Sequence, residues 1–191
     1  MQEKILKKQL TEFAQKGQFK QAEQTAQKIL QNRPQDLEVW YALAQVQQAQ
    51  GNQQAALFAF MKSVAKPSVH TSKALDQLTT ICIQNRLFDD ALSGAEYWIK
   101  LEPRNALAHY RKGYSLLQLK KSIQGEKSLL LAHELAPTNK AIHTTLAEVI
   151  AVNGDSERAI SEYDKGKLYL ESFESYSRYL EFHNYCDNIS N

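Results

Sequence analysis

Residues 34–67 read PQDLEVWYALAQVQQAQGNQQAALFAFMKSVAKP, a stretch that begins and ends on proline and holds one full period of the chain. Trp40, Leu43, Ala44 and Gln47 recur at i, i+3, i+4 and i+7, which sets them on one face of an α-helix. Gly51 closes that helix, because glycine takes up left-handed backbone without a steric cost. A second helix follows with Ala56, Phe60 and Val64 on one face, and Pro67 ends it for want of a backbone N–H. Two amphipathic helices between two prolines are thus the unit from which the rest is read.

The same punctuation recurs along the whole chain. Pro34, Pro67, Pro103 and Pro137 are spaced 33, 36 and 34 residues apart. Small residues keep step at Ala22, Ala56, Ala91, Gly125 and Ala159, and Gly17, Gly51 and Gly154 each stand five residues before one of them. A fixed period of this length marks a solenoid of helical pairs. No useful length alternates with a period of two, so strands are not expected. The spacing is irregular once: Pro67 comes early, and KPSVHTS (residues 66–72) holds one residue more than its counterparts. That stretch reads as a loop insertion or as a hinge.

Composition narrows the function classes. The 191 residues are 43% apolar and 23% charged, which suits a folded domain rather than a disordered chain. Lysine and arginine number 23 against 21 acidic residues, so the net charge of +2 offers no electrostatic reason to expect nucleic acid as partner. No apolar run is long enough to span a bilayer. The opening MQEKILKKQLTEF is charged throughout without the apolar core of a secretory signal. With only Cys82 and Cys186, a disulfide framework is not expected. These features together imply a cytoplasmic location.

The positions of these residues resemble the tetratricopeptide repeat, a unit of 34 residues. Its pattern places a large residue at the fourth position, Leu and Gly/Ala at the seventh and eighth, and Gly at the fifteenth. Ala at the twentieth, an aromatic at the twenty-fourth and Pro at the thirty-second complete it. Trp40, Leu43, Ala44, Gly51, Ala56 and Phe60 match in the second unit, and Leu146, Ala147, Gly154, Ala159 and Tyr163 in the fifth. The first offers Gly17, Phe19, Ala22, Ile29 and Pro34, and the third Leu75, Leu78, Phe88, Ala91 and Pro103. The fourth has Gly113, Ala132 and Pro137, with Gly125 in the alanine seat. Units are placed at 3–36, 37–71, 72–105, 106–139 and 140–173, with a capping or docking helix over 174–191. The resemblance implies an all-α fold, a right-handed superhelix of about five helical hairpins plus that C-terminal helix.

It also implies where a partner binds, since the first helices of such units line the concave groove. Two known groove chemistries fail on this sequence. A carboxylate clamp for the acidic tails of chaperones finds Lys7 and Lys73 but Thr11, Ala42 and Gln77 where it needs two asparagines and an arginine. The asparagine ladder of O-linked N-acetylglucosamine transferase arrays meets Lys8, Ala42, Gln77, Arg111 and Thr145. What remains is a peptide-binding patch of Tyr41, Gln45, Lys73, Gln77, Tyr110, Arg111 and Tyr114. Tyrosine and arginine bring broad contact with hydrogen-bonding ends and recur at binding hot spots.

Beyond the fifth unit the chain reads SFESYSRYLEFHNYCDNISN over residues 172–191. Phe173, Tyr176, Leu180 and His183 form one helical stripe and Tyr179, Phe182 and Cys186 another, an aromatic excess that suits a cap or a homodimer contact. Ser177, Leu180, Phe182, Asn184, Tyr185, Ile189 and Ser190 also resemble the junction between repeats and catalytic domain in O-GlcNAc-transferase-like glycosyltransferases. That likeness implies a second function, the substrate-recruiting arm of a larger protein glycosyltransferase; a sulfotransferase with a glutamine-rich arm is a variant of it.

Catalytic chemistry is hard to find. The sequence shows no glycine-rich phosphate loop, nucleophile elbow or spaced metal-ligand motif, so neither catalytic residues nor cofactors nor a metal are expected. His109 and His143 occupy the fourth seats of their units, as Trp40 does, and read as packing residues. Cys82 reads as core. His183 and Cys186 at i, i+3 do not close a zinc site by themselves. The expected function is a non-enzymatic interaction scaffold with a protein or peptide partner.

Overall fold

The computed structural model describes residues 2–167, and all the regular structure among them is helical. The helices are α1 (Gln2–Gln15), α2 (Phe19–Asn32), α3 (Leu37–Ala49), α4 (Gln53–Ser63) and α5 (Thr71–Gln84), then α6 (Phe88–Leu101), α7 (Ala106–Gln118), α8 (Ser122–Leu135), α9 (Lys140–Val152) and α10 (Ser156–Lys167). They form two compact units, one through Arg86 and one from Leu87. In the first, each helix from α1 to α5 packs on the next, and α1 also meets α3. In the second, α6 to α10 follow the same rule, with α7 meeting α9. The expected all-α class is what forms. The aromatic stripes of 172–191 lie outside the described residues.

The period seen in the sequence has a physical basis at three of the four prolines. Asp36, Asn105 and Asn139 each stand two residues after a proline and cap the next helix. Their side-chain oxygens accept from the amides of Val39 at 3.2 Å, Ala108 at 3.1 Å and Ala141 at 3.0 Å. Such caps satisfy amides that a helix start leaves without a partner. The fourth-seat residue then reaches back over the turn. Trp40 Nε1 donates to the Pro34 carbonyl at 2.8 Å, His109 Nε2 to Pro103 at 2.8 Å and His143 Nε2 to Pro137 at 2.7 Å. Because a carbonyl oxygen only accepts, Nε2 of both histidines bears a hydrogen. These rings are therefore packing residues with a polar task, closing the carbonyl that the seam leaves open.

The irregular seam breaks both devices. Leu75 sits where a ring donor would stand, and α5 begins after His70 without a side-chain cap. Ser68 and Thr71 fill in instead, the Ser68 amide donating to Thr71 Oγ1 at 2.7 Å. The inserted stretch lies inside the first unit, between α4 and α5, which pack on each other.

Turns within the hairpins need one left-handed residue. Gly17, Gly51 and Gly154 supply it with φ of +69°, +77° and +92°, and a Cβ at any of them would meet nothing within 4 Å. The requirement is thus conformational rather than spatial. The same seat in the other two repeats holds Arg86 and Lys120, whose φ values are +59° and +62°. Those residues carry the left-handed penalty of an L-amino acid.

Where helices cross, small side chains are obligatory. Ala22, Ala56 and Ala159 are fully buried. Between α7 and α8 two glycines face each other: a Cβ on Gly125 would lie 3.1 Å from the Gly113 carbonyl, and one on Gly113 only 2.5 Å from Leu129 Cγ. Phe60, Leu75, Trp98, Leu129 and Leu146 fill the space the close crossings leave.

Two stability predictions follow from this backbone. Lys120→Gly should raise the free energy of unfolding by about 0.5 kcal/mol, the relief of the left-handed penalty outweighing the added freedom of the unfolded chain. Gly113→Ala should lower it by about 1 kcal/mol, since overpacking against Leu129 exceeds the gain in helix propensity. Urea denaturation of the two variants beside the parent chain measures both.

Candidate functional site

In the first unit the outward residues of α1 and α3 meet over two adjoining depressions. The larger, of about 400 Å³, is lined by Leu10, Thr11, Ala14, Phe19, Ala42, Gln45 and Val46 among others. The smaller, of about 160 Å³, shares Leu10, Thr11, Ala42 and Gln45 and adds Lys7, Glu38, Tyr41 and His70. Helical spacing explains the meeting: Lys7 and Thr11 are one turn apart on α1, and Glu38, Ala42 and Gln45 share a stripe of α3. The floor is aliphatic and the rim carries amide, hydroxyl and charge.

Charge on that rim is already balanced. Lys7 Nζ sits 2.8 Å from Asp36 Oδ2 and 2.8 Å from Glu38 Oε2. Partial burial of the ammonium opposes its charge, yet hydrogen bonds to Asp36 and Glu38 outweigh that and raise its pKa above the usual lysine value. Asp36 thus does two jobs, capping α3 and pairing with α1.

Residues expected to contact a partner are placed as follows. Tyr41 is 9% exposed, stacked on His70 at 4.7 Å between ring centres and tilted against Phe60 at 6.0 Å. Burial raises its phenol pKa, so the hydroxyl stays protonated across the neutral range. Gln45, on the rim above it, and Lys73 on α5 are exposed. Gln77, also on α5, is half-buried and accepts from Gln48 Nε2 at 2.9 Å. His70 was not singled out by sequence; it belongs to the irregular seam, and the extra residue there was the available signal.

The second unit carries the other three residues on α7. Tyr110 and Tyr114 lie one turn apart with ring centres 6.3 Å apart, and the Arg111 guanidinium stands 5.9 Å from the Tyr110 ring. Burial first, then the neighbouring Tyr110 and Glu148, raise the Tyr114 pKa. Lys112 pairs with Glu96 at 3.0 Å on the flank.

The second unit also assembles a group that no spacing in the sequence announced. His133 near the end of α8, His143 in the first turn of α9 and Glu162 on α10 bring ligand-capable atoms within 4.8 Å of one another. Burial would raise the Glu162 pKa, but hydrogen bonds from Lys165 and His143 outweigh it and the net direction is down. The carboxylate is therefore ionised at neutral pH. His183 and Cys186 lie outside the described residues.

Residues 8–69 match the tetratricopeptide repeat family. Over those residues the chain carries the tetratricopeptide repeat pattern. No curated protein sequence matches it. Among solved structures, MamA residues 41 to the end from Desulfovibrio magneticus RS-1 superposes with a TM-score of 0.73 at 18% identity, covering 86% of this chain and 92% of that one. YrrB, described as a TPR protein with an unusual peptide-binding site, gives 0.77 at 13% identity, with 90% and 88% covered. TTC0263, a thermophilic TPR protein of Thermus thermophilus, gives 0.63 at 23% identity, with 94% and 98% covered. At these identities the likeness is one of fold. No described helix of the repeats is long and apolar enough to cross a membrane.

The double role of Asp36 can be separated by substitution. Asp36→Ala should cost at least about 1 kcal/mol, since it removes the cap and the pair with Lys7 together, whereas Asp36→Asn keeps the cap acceptor, loses only the charge facing Lys7 and should cost less. Thermal unfolding of both variants tests this.

Proposed function

We propose that this chain is a non-catalytic scaffold whose first-helix faces bind an extended peptide of a protein partner. The observation that carries the reading is the depression on α1 and α3, whose lining includes Lys7, Thr11, Glu38, Tyr41, Ala42 and Gln45. Those residues occupy the outward positions that the repeat pattern assigns to the groove. An aliphatic floor suits a small apolar side chain, and the amide of Gln45 with the hydroxyl of Thr11 suits the peptide backbone beside it. Tyr41 supports this floor from below rather than standing proud of it. On α5, Lys73 and Gln77 add an exposed cation and an amide; on α7, Tyr110, Arg111 and Tyr114 form an aromatic and cationic surface of the kind that dominates binding energies.

The described peptide-binding site of YrrB, a protein of the same fold, supports the class of ligand. The buried Cys82 thiol suits work in a reducing cytoplasm. Residues that would tie the chain to a glycosyltransferase lie in 172–191, outside the described residues, and nothing in α1–α10 favours that alternative.

Peptides selected by display against the full chain give the test. Gln45→Arg, which fills the depression, and the pair Tyr110→Ala with Arg111→Ala should each weaken the selected peptides at least tenfold, about 1.4 kcal/mol. Helical circular dichroism should be unchanged. Affinity that survives both changes would put the site elsewhere on the molecule.

A further inference from the structure

We propose that His133, His143 and Glu162 form a binding site for one divalent transition-metal ion of the zinc class in the second unit. His143 Nε2 must carry hydrogen, because it stands 2.7 Å from the Pro137 carbonyl, which has only lone pairs to offer. Its other nitrogen, Nδ1, faces Glu162 Oε1 at 2.7 Å. An imidazole lone pair and a carboxylate oxygen at that separation repel unless a positive centre lies between them. One proton suffices for those two atoms, but it leaves the third unexplained.

That third atom is His133 Nδ1. It is buried without a hydrogen-bond partner, 4.0 Å from the same Glu162 oxygen, and its ring meets His143 edge to face with centres 4.6 Å apart. Leaving such a buried nitrogen unsatisfied is costly. A metal ion accounts for all three atoms at once. Tetrahedral coordination with bonds of about 2.0–2.1 Å sets donor atoms about 3.3 Å apart, and the two separations from Glu162 Oε1, 2.7 and 4.0 Å, lie on either side of that value.

The surrounding contacts are those a metal site uses. A ligating histidine generally donates its other ring N–H to a carbonyl, which fixes the tautomer; Pro137 does this for His143. Lys165 Nζ holds the remaining Glu162 oxygen at 3.0 Å, orienting the carboxylate. Two imidazoles and one carboxylate select zinc and its neighbours over calcium or magnesium, which prefer oxygen donors. His133 is the outermost ligand, with 28% of its side chain exposed, so ions enter past it and water takes the fourth position. On binding, the proton shared between His143 Nδ1 and Glu162 Oε1 leaves for solvent and the metal takes its place. The ion then ties α8, α9 and α10 together.

The test uses the full chain, freed of metal by chelator and titrated with zinc chloride. Calorimetry should show one ion bound per chain at this site, and the thermal midpoint should rise by several degrees and fall back on adding EDTA. His133→Ala removes the outermost ligand and should abolish both effects; Glu162→Gln serves as a second variant should the first lose helicity. On the unaltered chain, long-range proton–nitrogen spectra of the imidazoles should show the Nδ1 resonances of His133 and His143 shifting together as zinc is added. Resonances that do not move, or zinc uptake equal in parent chain and His133→Ala, would overturn the site. Zinc held by other residues, such as His183 and Cys186, would give the second of these outcomes.

Discussion

The structure depends on how closely two helices of a hairpin can approach. At each crossing a side chain larger than a methyl group would push the helices apart and open the core to water, since interhelical distance is set by the residues at the contact. Ala22, Ala56 and Ala159 meet that limit at full burial. Between α7 and α8 the limit is stricter, and Gly113 and Gly125 stand within van der Waals reach of backbone on the facing helix. Large residues, Phe60, Trp98 and Leu129 among them, then fill the space beside each crossing. The 34-residue period is this alternation of small and large, repeated.

Close crossing leaves backbone groups to be satisfied at each seam, and the seams solve this with side chains. Asx caps serve the amides at the start of α3, α7 and α9, and ring donors at Trp40, His109 and His143 serve the proline carbonyls. Tryptophan and histidine are interchangeable there because each presents a flat ring with an N–H at its far edge. Histidine differs in having a second nitrogen. In the fifth repeat unit that difference matters, because the second nitrogen of His143 meets Glu162 and lies beside His133. A structural hydrogen bond at one nitrogen thereby turns the other toward a buried carboxylate, and a seam residue acquires chemistry.

The candidate binding faces arise from the same geometry. First helices that pack tightly on their partners turn their remaining residues outward, so Lys7, Thr11, Ala42 and Gln45 line one depression without any motif in common. The irregular seam changes one member of that face. Its extra residue brings His70 over Tyr41 in a stack only 3° from parallel, and the tyrosine becomes part of the floor.

Much of this was legible in the chain itself. Helix positions, their ends at proline and glycine, the small seats and the outward columns of the first helices all follow from periodicity, because each depends on local backbone chemistry that repeats. What tertiary structure decided is of another kind. Lys120 adopts left-handed backbone because the hairpin of α7 and α8 on either side of it requires the turn, against the preference of its own side chain. Tyr41 is buried because a residue from the next seam covers it. His133, His143 and Glu162 lie on three different helices with no regular spacing, and only the packing of α8, α9 and α10 brings their donor atoms together. A sequence shows what each residue prefers within a turn or two of helix; which lone pairs end up facing one another depends on distances through space, and those exist only after the chain has packed.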